Sequence, residues 1–146
     1  MSRARIEPDG RPEVRSRRPR AERSGSSILV VDDEPLMRGL LETVFDTEGY
    51  DVTVAPDGPT ALVRAREGAF DAAVLDLMMP GMDGRTVLRC LKADPLTAGI
   101  SVVVVSGGSA STFVEDLLLD GAAAFVAKPF RVSVLAEVVR AAIAAG

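Results

Sequence analysis

The sequence predicts an α/β domain: a doubly wound, five-stranded parallel sheet with helices on both faces. Three observations lead there. Five short apolar runs alternate strictly with five helical stripes over residues 27–146, and strict alternation implies parallel strands joined by right-handed crossovers. Gly or Pro punctuates most of the boundaries between them. Four of the five runs end in carboxyl, hydroxyl or amine side chains, and open α/β sheets bind their ligands at the carboxyl ends of strands. Five units are too few for an eight-unit barrel.

Each element has its own signal. Ile28-Leu29-Val30-Val31 reads as a buried strand. Met37, Leu40, Leu41, Val44 and Phe45 fall at i, i+3, i+4, i+7 and i+8, a helical stripe that Gly49 closes. Residues 50–55 alternate Tyr50, Val52 and Val54 and read as the second strand. The turn Pro56-Asp57-Gly58-Pro59 opens a helix, with Pro59 suited to its first turn. Ala61, Leu62 and Ala65 mark its buried face, and Gly68 ends it. Ala72 to Leu75 is a third strand closed by Asp76. The third helix shows Val87, Leu88 and Leu91 and stops before Pro95. Residues 100–105 are the most apolar strand, followed by Ser106-Gly107-Gly108. A helix is expected from about Ser111 to Leu119, ended by Gly121, and a fifth strand over residues 123–127, ended by Lys128-Pro129. Leu135, Val138, Val139, Ala142 and Ile143 stripe the last helix.

Composition narrows the chemistry. The 146 residues are 47% hydrophobic but only 4% aromatic, so the core must be aliphatic. Histidine is absent, which removes His-liganded metals and His general bases. The single thiol, Cys90, closes no internal disulfide and reads as a helix residue without chemistry. No apolar stretch approaches the ~18 residues that span a bilayer. The N-terminus lacks the apolar core of a secretory signal. Residues 1–26 hold eight Arg and four acids, against nine Lys or Arg and seventeen acids in the remainder. That Arg-rich arm shows no periodicity, so it is expected to be disordered. Its run Arg15-Ser16-Arg17-Arg18-Pro19-Arg20 is a solvated arm whose only expected nucleic-acid contact is a weak, non-specific one.

The strand ends carry Asp32-Asp33, Asp76, Ser106 and Lys128. In a doubly wound sheet they share one edge. Three carboxylates there repel one another, and the candidates to compensate are Lys128 and a bound metal. Oxygen ligands without His or Cys suit Mg²⁺ or Mn²⁺ better than Zn²⁺. A hard cation, a Lys and a hydroxyl form a phosphoryl-binding site, and an Asp beside them is a candidate nucleophile.

Asp32-Asp33-Glu34-Pro35, Val74-Leu75-Asp76-Leu77-Met78-Met79-Pro80-Gly81-Met82-Asp83-Gly84, Val105-Ser106 and Lys128-Pro129-Phe130 together resemble the receiver domain of bacterial two-component response regulators, over about residues 27–146. The fold expected is flavodoxin-like, with strand order 2-1-3-4-5. The resemblance implies that Asp76 is the phosphoacceptor. Asp33, Asp76 and the Met78 carbonyl would ligate Mg²⁺, with Asp32 holding it mainly through water. Lys128 would pair with the phosphoryl oxygens and Ser106 would donate its hydroxyl to them. Phe125 would stand at the aromatic switch position, and the Lys128–Pro129 peptide would be cis.

On this reading a histidine kinase or phosphotransfer protein phosphorylates a cytoplasmic domain, which catalyses only its own phosphorylation and hydrolysis. An unidentified partner reads the fourth helix, fifth strand and fifth helix, and homodimerisation on phosphorylation is left open. With the sequence ending at the fifth helix, a stand-alone receiver is expected. Two other readings compete. A phosphatase of the haloacid dehalogenase type usually has a second Asp two residues after its nucleophile, where this chain has Met78. A receiver-like module that is never phosphorylated usually loses one of the acids or the Lys, all of which are kept here. Met78 and Gly108 hold the positions expected to steer the hydrolytic water, which predicts a slow loss of the phosphoryl group.

Overall fold

Five strands alternate with five helices in the computed structural model, which describes residues 26–107 and 113–146. The expectations for residues 1–25 of the arm, for Gly108 and for a helix start at Ser111 lie outside the described residues. The elements are β1 (Ser27–Val31), α1 (Pro35–Thr47), β2 (Asp51–Ala55), α2 (Gly58–Glu67), β3 (Ala72–Asp76), α3 (Gly84–Ala93), β4 (Ser101–Ser106), α4 (Val114–Leu119), β5 (Ala124–Ala127) and α5 (Val132–Ala145). All neighbouring strands pair in parallel, in the order β2-β1-β3-β4-β5. This is the order the sequence predicts.

Strand residues alternate between two cores. Leu29, Val31, Leu75, Val102 and Val104 pack with Ala61, Val87, Leu88, Leu91 and Leu117 beneath α2, α3 and α4. Ile28, Val30, Val74, Val103 and Val105 pack with Leu41, Phe45, Leu135 and Val139 beneath α1 and α5. A strand covered on both sides has no solvent face, which is why β4 reads as the unbroken run Val102 to Val105.

Local chemistry sets the helix ends. Asp57 and Asp83 accept from the backbone N–H of Thr60 (2.8 Å) and Thr86 (2.9 Å), capping α2 and α3. Gly49 follows α1 with φ 98°, a left-handed conformation that favours glycine. Several details differ from the sequence reading. Ile100 and Ala123 precede β4 and β5 rather than opening them. Leu40, placed in the buried stripe of α1, is 46% exposed, because Leu41 and Phe45 already fill the contact with the sheet. Tyr50 precedes β2 rather than opening it. Its ring meets Phe45 edge-on, with centroids 5.9 Å apart.

Candidate functional site

The parallel register brings the predicted residues to one edge. Asp76 ends β3 opposite Val105 of β4, and the next N–H, from Leu77, donates to the Val105 carbonyl (3.1 Å). Ser106 ends β4 opposite Ala127, and the following Lys128 N–H donates to the Ser106 carbonyl (2.8 Å). Sheet hydrogen bonding therefore carries Lys128 to the edge where Asp76 ends β3. The Lys128–Pro129 peptide is cis.

Asp32 follows β1 and is fixed from three sides. Its N–H donates to the Ala55 carbonyl (3.2 Å), its carbonyl accepts from the Arg38 guanidinium (2.8 Å), and its Oδ1 accepts from the Glu34 N–H (2.9 Å). Asp33 beside it is exposed. One carboxylate oxygen from each of Asp32, Asp33 and Asp76 lies within 4.8 Å of the others. Lys128 Nζ stands 3.8 Å from Asp76 Oδ1, too far for a hydrogen bond, so the pair attracts through space. Asp76 Oδ1 also accepts the Met78 N–H at 3.2 Å, while the Met78 side chain is 69% exposed. Among the described residues Ser106 Oγ is buried without a hydrogen-bond partner. Phe125 is half-buried on β5 and packs on the core beneath α2, α3 and α4.

The electrostatics are unbalanced. Burial raises the pKa values of Asp32 and Asp76 above the ordinary 3.8, and the backbone bonds from Glu34 and Met78, together with Lys128, only partly oppose it. Three acids face one ammonium. A divalent cation held by oxygen donors would offset that excess, and the orphaned Ser106 hydroxyl is costly unless a ligand meets it. The donor set fits a hard cation.

Two contributors escaped the sequence reading. Arg38 lies one turn into α1 and ties Asp32 to that helix, a contact no local pattern signals. Gly84 opens α3 directly against the end of β3. Its N–H donates to the Leu77 carbonyl (2.9 Å), and a Cβ there would come within 2.6 Å of Leu77 Cα and collide with the Asp76 carbonyl. Its signal was present in the sequence, as a second glycine three residues after the turn glycine Gly81.

A family model for the response regulator receiver domain matches residues 28–140. The response regulator PleD of Caulobacter vibrioides is 46% identical over 102 residues, which are 70% of this chain and 22% of that protein. The DNA-binding response regulator MtrA of Mycolicibacterium smegmatis is 41% identical over 114 residues, 78% of this chain and 49% of that protein. The chain thus spans about a fifth to a half of these curated relatives. The solved receiver domain of NtrX from Brucella abortus superposes with a TM-score of 0.76 at 30% identity, covering 82% of this chain and 99% of that one.

Proposed function

The chain belongs to the response regulator receiver family, the phosphoacceptor domain of two-component systems, and on that premise we propose that Asp76 is the residue that carries the phosphoryl group. The observation that supports this most directly is the convergence on Asp76 of Lys128, at 3.8 Å, and of the Asp32–Asp33 pair, within 4.8 Å.

An Asp76 carboxylate oxygen bonds to phosphorus as the bond to the donor breaks, and the donor's nitrogen or oxygen leaves with the electron pair. Lys128, already 3.8 Å from Asp76 Oδ1, and the Ser106 hydroxyl meet the phosphoryl oxygens and stabilise their charge. Asp33, Asp76 and the Met78 carbonyl would hold Mg²⁺ or Mn²⁺, with Asp32 holding it mainly through water, and the cation would supply positive charge to the transferring group. The Met78 N–H already orients Asp76 Oδ1. Hydrolysis reverses the load, with water attacking phosphorus in line, so the domain catalyses its own phosphorylation and dephosphorylation.

The donor is a histidine kinase or phosphotransfer protein, and the setting is the cytoplasm. No helix among the described residues is long and apolar enough to cross a membrane. Loading shifts Ser106 and Phe125, and a partner, or a second copy, reads the change on α4, β5 and α5, where Leu118 and Leu119 are 46% and 85% exposed. Incubation with acetyl phosphate and Mg²⁺, followed by intact mass measurement, tests the acceptor. A phosphoryl adduct is expected on the parent and absent from Asp76→Ala; an adduct that persists in Asp76→Ala sinks the assignment.

A further inference from the structure

Helix α3 presents three cations on one face. Arg85, Arg89 and Lys92 recur at i, i+4 and i+7, a spacing that stacks them along one side of a helix. The two arginines converge on the turn that ends α4. Arg85 Nε donates to Asp120 Oδ2 at 2.7 Å, and Arg89 Nε donates to the same oxygen at 3.2 Å. Asp120 is the C-cap of α4, and its side chain is only 19% exposed. The Arg85 bond, more than any other influence, holds its carboxyl below the usual range. Gly121 comes next with φ 108°, and a Cβ there would lie 2.9 Å from Lys92 Cγ. The Lys92 stem therefore rests against the turn, while its ammonium donates to the carbonyls of Ala98 (2.9 Å) and Ile100 (2.6 Å).

Among the described residues little else holds α4. It has six residues, and of these only Leu117 is buried. A helix of that length is not stable on its own propensity. Asp120 is also the wrong charge for a helix C-terminus, where the macrodipole favours cations; the two guanidiniums offset it. The N-terminal end of α3 is seated against β3 through the Gly84 contact with Asp76 and Leu77. Arg85 follows that residue directly.

We propose that Arg85 and Arg89 act as a brake: by sharing Asp120 they hold α4 in its resting position against the displacement that loading the acceptor favours. The inference rests on Asp76 being that acceptor. A group shifts a two-state element only by interacting differently with its two positions. A contact made in the resting position and lost on displacement therefore opposes the phosphoryl group, and linkage requires that weakening the contact make loading easier. The route runs from the acceptor strand through the start of α3 to α4, separate from Ser106 and Phe125.

The test compares the full chain with Asp120→Asn and, approaching the contact from the other helix, Arg85→Gln. Hydrogen exchange of the unloaded proteins should show α4 amides exchanging roughly fivefold faster in both variants, with β1 and β3 unchanged. Acetyl phosphate and Mg²⁺ should loosen α4 in the parent, loosen it less in the variants, and load the variants roughly fivefold faster. Wild-type exchange of α4 in both variants would reduce the contact to an exposed ion pair of no consequence and overturn the brake. An adduct that forms on the parent without altering α4 exchange overturns it too. Absence of any adduct on the parent instead overturns the acceptor reading, and the brake falls with it.

Discussion

Lys128 and Asp76 extend from strands that have β4 between them, yet their charged atoms lie 3.8 Å apart. The ammonium spans the Ser106 end of β4 to reach the acid. It is the one cation within ion-pair distance of Asp76 among the described residues. Replacing it with methionine leaves three carboxylates facing one another. Lys128→Met should slow adduct formation from acetyl phosphate by roughly 10²-fold. A rate within a factor of about two of the parent would show that the ammonium does not stabilise the transferring group.

Stability and cation binding should move in opposite directions at Asp32. Burial raises its pKa, and that of Asp76, above 3.8. A carboxyl that binds its proton more tightly when folded contributes stability below the unfolded pKa of about 3.8 and loses it as pH rises through the raised folded pKa. Metal-free protein should therefore lose part of its stability on that limb. Asp32→Asn keeps an acceptor for the Glu34 N–H and removes one buried charge. Its melting temperature in chelator at neutral pH should rise by about 2–4 °C, with a flatter pH limb and weaker Mg²⁺ binding by calorimetry. A lower melting temperature would mean that the ionised carboxylate stabilises the fold.

Two glycines should respond oppositely to alanine. A Cβ on Gly84 would press on Leu77 Cα at 2.6 Å, whereas one on Gly39, in α1, meets nothing within 4 Å. Gly84→Ala should destabilise by about 1–3 kcal/mol and slow phosphorylation by displacing the acceptor loop. Gly39→Ala should stabilise by about 0.5–1 kcal/mol. Urea unfolding of the two variants measures both.

The lifetime of the phosphoryl group should depend on Met78. Its side chain is 69% exposed, two residues past Asp76, and offers no strong donor or acceptor to an attacking water. Met78→Asn supplies both, and positioning contributes strongly to such steps. Decay of the adduct, followed by intact mass, should quicken roughly tenfold; the pair Met78→Asn with Gly108→Glu should be faster still. Equal decay would place the rate limit elsewhere.

The alternation of elements and the edge the strand ends share were legible because each depends on a local pattern, and the resemblance to receiver domains added the strand order. Asp76 follows an apolar run and precedes Pro80-Gly81, and parallel pairing then dictates its neighbours. Contacts between helices were not legible. Nothing near Asp120 announces Arg85, 35 residues away, and nothing near Asp32 announces Arg38 as the anchor of its carbonyl. The exposure of Leu40 escaped for the same reason. Periodicity gives the apolar side of a helix, and the width of the buried stripe is decided by which neighbours reach it.

The Phe45–Tyr50 pair makes the protein optically lopsided. Tyr50 is the only tyrosine and tryptophan is absent, so all tyrosine emission, excited selectively over the phenylalanines, comes from one ring. That ring is 9% exposed beside Phe45, before the start of β2, at the end of the sheet away from Asp76. Its fluorescence should follow global unfolding closely and stay constant when the acceptor is loaded. A signal for loading would have to be engineered, for example by Phe125→Trp.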